Sequence, residues 1–279
     1  MSLEDYDIGL RIGQGGFSTV YRARHRESNQ DVAIKVIEKN VNMDHEDPAN
    51  GLNRPSISGK QQQLRQRIDN EISLHKCLKH THIVELLEWF EDDDYVYIVQ
   101  EYCPDGNLYR LLKAWGRLSE AASLEIIRQV LCAVHHIHTQ GIIHRDLKLS
   151  NILIHHLDKS INLSTASTFF TEQIVVKVCD FGFAVAHTHP DDEHHTLCGT
   201  PNYIAPEVLQ QPHTSQNPLH PQSHSSKSDV WSVGILLHTL VMGEAPFEQP
   251  TLPLTLQHIR TTPYSPPREG VSRGWCVCA

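Results

Sequence analysis

Residues 144–151 read HRDLKLSN, which sets Asp146, Lys148 and Asn151 at offsets of zero, two and five. A carboxylate at Asp146 can orient a substrate hydroxyl and take its proton. The Lys148 ammonium can neutralise a phosphoryl group in flight, and the Asn151 amide offers an oxygen to a metal. Downstream, VVKVCDFGF at 175–183 supplies Asp180 after a strand-like run. A carboxylate converging with an amide oxygen suits Mg2+, which prefers hard oxygen ligands. Upstream, IGQGGFSTV at 12–20 carries Gly13, Gly15 and Gly16 between two strand-like runs. Backbone N–H groups there could approach a polyphosphate, because no side chain stands in the way. Taken alone, this stretch also fits a plain β-turn. The third Gly of GxGxxG is replaced by Ser18 and no GK[ST] follows, so a dinucleotide-fold dehydrogenase and a Walker-type ATPase both lose support.

VAIK at 32–35 puts Lys35 in an otherwise buried strand shortly after the glycine hairpin. Such a Lys can snorkel to solvent, or it can reach the α and β phosphates of a nucleotide under the hairpin. In the second case it needs an acid to hold it. Glu71, within NEISLHKCLKH, is the candidate because it falls on the apolar face of a helix, where a lone carboxylate is expensive. A solvated helix-surface Glu is the alternative.

The elements that must position these residues differ between the two halves. Residues 6–37 alternate apolar and polar around glycine pairs, and YVYIVQEY at 95–102 is β-branched and aromatic, predicting antiparallel strands. Leu64, Ile68, Ile72 and Leu78 recur at near-helical spacing, predicting one helix over 64–80. Helical periodicity then dominates in 119–141, which ends in a Gly stop, and in 228–243, where Ser228 is a candidate N-cap. Three tracts, 40–63, 155–173 and 211–226, are rich in Ser, Asn, Gln, His and Pro without a period. They are expected to be exposed loop insertions, since they bury too little to offset ordering entropy.

Composition narrows the function classes. A net charge of −9 with 24 Lys and Arg gives no basic field for nucleic acid. The start, MSLEDYDIGL, is not a secretory signal, and the longest apolar stretch, 230–242, is too short to span a bilayer. The seven cysteines, at 77, 103, 132, 179, 198, 276 and 278, form no CxxC pair, so reduced thiols in the cytosol or nucleus are expected.

With GTPNYIAPE at 199–207, five signatures stand in one order. The sequence resembles eukaryotic protein kinases from residue 6 to about 250. Within that group it is similar to the Polo-like family, in its centriole-duplication (Sak-type) branch. LSN at 149–151, YVYIV at 95–99, EISLHKCLKH at 71–80 and HTLCGTPNYIAPE at 195–207 carry the closer likeness.

The resemblance implies an α+β, bilobal kinase fold. A small β-rich N-lobe with one regulatory helix spans 1–100, a larger, mainly α and incomplete C-lobe spans 101–250, and an irregular tail spans 251–279. It implies ATP and Mg2+ as cofactors, proteins with Ser or Thr acceptors as substrates, and a cytoplasmic setting at the centriole or centrosome. No nucleic-acid or membrane partner is implied. Catalysis falls to Lys35, Glu71, Asp146 and Lys148, and metal binding to Asn151 and Asp180. The ATP contacts implied are Ile12, Gly13, Gln14, Gly15, Gly16, Phe17, Ser18, Thr19 and Val20, then Ala33, Lys35, a gatekeeper Gln100, Glu101, Cys103 and Leu153. Lys148 with Thr200 fits the Ser/Thr class. Arg145 is expected to grip a phosphate on Thr196, while the Thr200 hydroxyl is expected near Asp146 and Lys148.

The sequence departs from the family pattern in several places. Gln100 stands where an apolar gatekeeper is usual, Lys148 where the centriolar branch often has Thr, and Phe183 directly follows DFG. HTHPDDEHH at 187–195 could pass for a metal cluster, yet an activation loop lacks the fixed geometry of a closed site. After APFEQP the pattern fades, so the last C-lobe helices are expected to be missing, together with the Arg that pairs the Glu of APE, here Glu207. If Glu207 is buried, losing that partner costs ~3–5 kcal/mol against a total stability of ~5–15 kcal/mol. An ATP-binding but inactive fragment serving as an interaction module is therefore the alternative to an active kinase.

Overall fold

The computed structural model describes residues 2–16, 18–39, 57–167, 171–187, 199–209 and 224–266. The chain forms two compact units. One runs from the N-terminus to Lys79 and resumes over Val84–Tyr102; the other takes His80–Ile83 and the chain from Cys103 onward.

The first unit is built on β1 (Tyr6–Gln14), β2 (Ser18–His25), β3 (Asp31–Glu38), β4 (Leu86–Glu91) and β5 (Tyr95–Glu101). They form one antiparallel sheet in the order β1-β2-β3-β5-β4. The period of two along β3 divides its side chains between two faces. Val32 and Ile34 join Tyr6, Ala23, Tyr97 and Val99 in one cluster. Ile37 joins Val96 and Ile98 in another, which also takes in Ile68 and Ile72 of α1 (Ile57–Lys76). Burying each such side chain contributes about 1.5–3 kcal/mol, and this fixes α1 to the face that carries Lys35. The helix starts earlier than its predicted bound of 64, so residues 57–63 of the expected 40–63 loop are helical. Packing of Leu64 and Ile68 stabilises a turn whose polar composition alone did not signal it.

The second unit contains α2 (Leu108–Trp115), α3 (Glu120–Thr139), α4 (Pro206–Leu209), α5 (Ser226–Met242) and α6 (Leu252–Thr261). Two short antiparallel ribbons accompany the helices: β6 (Ile142–Ile143) with β9 (Val185–Ala186), and β7 (Ile152–Leu157) with β8 (Ile174–Val178). Caps set the helix starts. Asn107 accepts the Arg110 N–H before α2, and Ser119 accepts the Ala122 N–H before α3.

Several expectations for this unit are corrected. The cap of α5 is Ser225, whose Oγ accepts the Lys227 N–H, while Ser228 lies buried within the helix. The 155–173 tract opens with the end of β7 and is pinned by Leu163, which is fully buried and accepts the Ser119 N–H. The tail is not irregular throughout, because α6 occupies Leu252–Thr261. Its Ile259 closes a core with Ile204, Leu209, Ile235 and Phe247. Glu207 is half-buried, not buried, so the desolvation cost attached to it does not apply in full. Of the 211–226 tract, His224 is buried and Ser225 and Ser226 open α5. Residues 211–223 lie outside the described residues.

Candidate active site

In the first unit, Lys35 Nζ donates to Glu71 Oε1 at 2.6 Å. The two side chains are 13% and 6% exposed, so the charges are largely desolvated and each requires the other. The pairing follows from the sheet. Lys35 stands opposite Val20 of β2 and Ile98 of β5, on the face that α1 covers through Ile68 and Ile72. Ala33 and Gln100 face each other across β3 and β5, with Ala33 buried and Gln100 half-buried. Glu101 Oε2 accepts the Glu85 N–H.

The glycine hairpin is closed by the Gly15 N–H donating to the Ser18 carbonyl at 2.7 Å. A side chain at Gly15 would meet Ser18 Oγ at 2.9 Å, whereas Gly16 has open space around it. Among the described residues no packing demand explains Gly16, which fits a backbone kept bare for a ligand. Gln14 and Thr19 pair across the hairpin, Gly13 pairs with Val20, and Ile12 is 37% exposed. Phe17 lies outside the described residues.

In the second unit the HRDLKLSN segment leaves β6 and is held from below by Asp229 of α5. Asp229 is 1% exposed. Its Oδ2 accepts the His144 N–H at 2.9 Å and a contact from His138 Nε2 at 2.8 Å, and its Oδ1 accepts the Arg145 N–H at 2.9 Å. Arg145 sits at φ +67°, a conformation that costs about 1–3 kcal/mol for a residue with a side chain. His144, fully buried, accepts the Asp146 N–H through Nδ1 and therefore presents Nε2–H to the Cys179 carbonyl. Sequence reasoning missed Asp229. Its signal was a carboxylate inside the apolar run SDVWSVGILL, but its partners lie 84 and 85 residues away.

Asp146 is 3% exposed, and its carboxylate is held by several donors. Lys148 Nζ reaches Oδ2 at 2.7 Å and Asn151 Nδ2 reaches it at 3.0 Å. The N–H and hydroxyl of Thr200 both reach Oδ1 at 3.1 Å. Gly199 makes this docking feasible. It takes φ +101°, and a Cβ there would lie 2.9 Å from the Arg145 carbonyl, so neither the conformation nor the space admits a side chain.

Asn151 Nδ2 also donates to the Asp146 carbonyl at 2.9 Å. The amide nitrogen is thus committed and the amide oxygen is left as the group a cation could take. Asn151 precedes β7 and Asp180 follows β8. Because Ile152 pairs antiparallel with Val178 and the Cys179 N–H donates to the Asn151 carbonyl, both residues fall at the same end of one ribbon. Asp180 is at φ +66° and its Oδ1 accepts the Gly182 N–H at 3.4 Å. Leu153 is half-buried on β7, and Cys103 is buried. Arg145 Nε donates to the Phe183 carbonyl at 2.7 Å. Thr196 and the 188–195 part of the His-rich tract lie outside the described residues. Among the described residues no group of three or more His, Cys, Asp or Glu could hold a metal, and no helix is long and apolar enough to cross a membrane.

Comparison with known proteins gives a consistent result. The protein kinase domain profile matches residues 6–266. Serine/threonine-protein kinase PLK4 of Drosophila ananassae is 35% identical over 267 residues, covering 95% of this chain and 29% of the fly protein. The protein of the same name from Drosophila melanogaster gives the same figures. That of Drosophila persimilis is 35% identical over 260 residues, 92% of this chain and 28% of its own length. The chain therefore spans less than a third of these relatives.

Proposed function

The chain belongs to the protein kinase domain family, and on that premise we propose that it is a Mg2+- and ATP-dependent serine/threonine kinase in which Asp146 receives the acceptor hydroxyl. The observation that carries this reading is the Asp146 carboxylate, fixed at once by Lys148, Asn151 and Thr200. Four donors on one buried carboxylate fix its orientation, as general-base chemistry on an acceptor hydroxyl requires.

As the acceptor oxygen bonds to the γ-phosphorus, its proton passes to Asp146, the bond to the β,γ-bridging oxygen breaks and ADP departs. Lys148, beside that carboxylate, would neutralise charge on the transferring group. In the first unit the Lys35 ammonium, held by Glu71, would take the α and β phosphates, and the bare backbone at Gly15 and Gly16 would cover them. The uncommitted Asn151 oxygen and the Asp180 carboxylate fit a hard divalent cation, which when bound would neutralise phosphate charge. Gln100 would give the adenine pocket a polar back wall, and a phosphate on Thr196 would find its partner in Arg145.

The Ser/Thr assignment is supported by Thr200 on Asp146 and by the names of the fly relatives. A role in centriole duplication, with cytoplasmic and centriolar placement, follows the likeness to that branch of the Polo-like family. The experiment is transfer of radiolabel from γ-labelled Mg-ATP to a generic acceptor protein, followed by phosphoamino-acid analysis. Label on Ser and Thr with the parent, lost in Asp180→Asn while the melting curve is kept, is the expected result. Unchanged transfer in Asp180→Asn would overturn the metal assignment, and label on Tyr alone would overturn the acceptor class.

A further inference from the structure

A cavity of about 730 Å³ lies within the second unit, bordered by Lys148 and Thr200, two of the residues whose side chains donate to the Asp146 carboxylate. Its wall continues through Tyr109, Leu112 and Lys113 of α2 to Tyr203 and then to Glu244 and Glu248, on the segment after α5. We infer that this cavity receives the polypeptide flanking the acceptor and that Glu244 and Glu248 select a substrate with a basic residue beside its Ser or Thr. The inference rests on the kinase reading above.

Three observations argue for it. First, the volume is that of a cleft able to take several side chains. Second, the backbone that carries the two glutamates is anchored while their carboxylates are not consumed. Phe247, between them, is 3% exposed and stacks on Trp231 at 5.6 Å, and the Glu248 N–H donates to the Ala245 carbonyl. Yet both Glu side chains are exposed and form no ion pair or hydrogen bond among the described residues. Third, the charge is one-sided once pairs are removed. Lys148 is committed to Asp146, which leaves Lys113 against two glutamates, in a chain of net charge −9. An unpaired carboxylate pair on an anchored backbone beside a reacting centre attracts a cationic side chain and repels an anionic one, and it steers encounter as well as binding. The Glu248 charge also acts on Tyr203, whose hydroxyl is pushed up to about 12, chiefly by burial.

The test is phosphorylation of a peptide set in which Arg, Ala or Glu is placed in turn at each position flanking one Ser. The parent, Glu244→Lys and Glu248→Lys are compared by the ratio of kcat/KM for the Arg and Ala peptides. The parent is expected to favour Arg over Ala at one or more positions, and each reversal to lower that ratio by roughly five- to tenfold, the range of one partly exposed ion pair replaced by repulsion. Transfer with no preference for Arg, or with the same preference in both variants, overturns the inference and leaves the kinase reading standing. Binding of the Arg peptide with Ala in place of Ser, followed by fluorescence anisotropy, separates the opposite case. If no peptide is phosphorylated but binding weakens in Glu244→Lys and Glu248→Lys, the kinase reading fails while selection of a basic peptide by Glu244 and Glu248 stands. Equal binding by all three chains overturns the inference.

Discussion

Asp229 Oδ1 accepts the backbone N–H of Arg145 at 2.9 Å, so a buried carboxylate on α5 holds a residue at φ +67° one position before Asp146. The backbone leading into Asp146 is therefore held from a distant helix, in addition to the bonds that Lys148 and Asn151 make within the segment itself. Asp229→Ala leaves the buried His144 N–H and the half-buried Arg145 N–H without their acceptor, at about 1–3 kcal/mol for a fully buried group. Chemical denaturation is expected to show a loss of roughly 3 kcal/mol or more. A loss under about 1 kcal/mol would mean that the segment is held by other contacts.

The Lys35–Glu71 pair separates stability from chemistry. Lys35→Met strands a carboxylate that is 6% exposed and is expected to cost ~3–5 kcal/mol, whereas adding Glu71→Leu should recover most of it. Transfer should stay depressed in both, by roughly a hundredfold or more, because the phosphates lose their cation in each. A double-mutant cycle on urea midpoints with parallel turnover assays reads both. Recovery of turnover along with stability would show that Lys35 serves packing alone.

Gly199 tests the docking of Thr200 on Asp146. With φ +101° and the Arg145 carbonyl 2.9 Å from any Cβ, Gly199→Ala should cost about 1–3 kcal/mol and lower kcat by roughly tenfold or more as Thr200 shifts. A variant with parent turnover and parent midpoint would refute the link between this glycine and Asp146.

Acid should weaken the second unit. Burial pulls the His80 and His82 rings below their ordinary 6.5, and His80 also feels His136, His82 and Lys177. The His238 ring is lowered too, by burial. The unfolded chain therefore takes up these protons first, and the stability they confer, present above pH 6.5, is lost as pH falls through the lowered values. His80 Nδ1 also accepts the His82 N–H, a bond that protonation breaks. Midpoints measured from about pH 8 to about pH 5 should fall less steeply in His80→Gln than in the parent. Equal slopes would remove His80 as a contributor.

The sequence made legible those features whose causes are local or periodic. The alternation in DVAIKVIE placed Lys35 on one face of a strand, and the spacing of Ile68 and Ile72 placed Glu71 on the helix packed against that face. The offsets in HRDLKLSN grouped Asp146, Lys148 and Asn151, which hydrogen-bond as one cluster. Less legible were features made by long-range packing. Asp229 reads as a polar position in an apolar helix until its partners 84 and 85 residues away are brought to it. Leu163 and Ile259 looked like members of polar or irregular tracts, yet each is buried by elements far off in sequence. The start of α5 moved from Ser228 to Ser225 because several serines in SHSSKS could cap and only tertiary burial of Ser228 selects among them.

The central claim is that Asp146 handles the proton of the acceptor hydroxyl, and the most direct measurement is the steady-state kinetics of Asp146→Asn beside the parent with Mg-ATP and a Ser-containing protein. The change keeps the shape and the acceptor oxygen but removes the base. It is expected to lower kcat by roughly a hundredfold to ten-thousandfold, while KM for ATP moves by less than about threefold, since Asp146 makes no nucleotide contact in this account. A kcat within about twofold of the parent, with the melting curve unchanged, would contradict it.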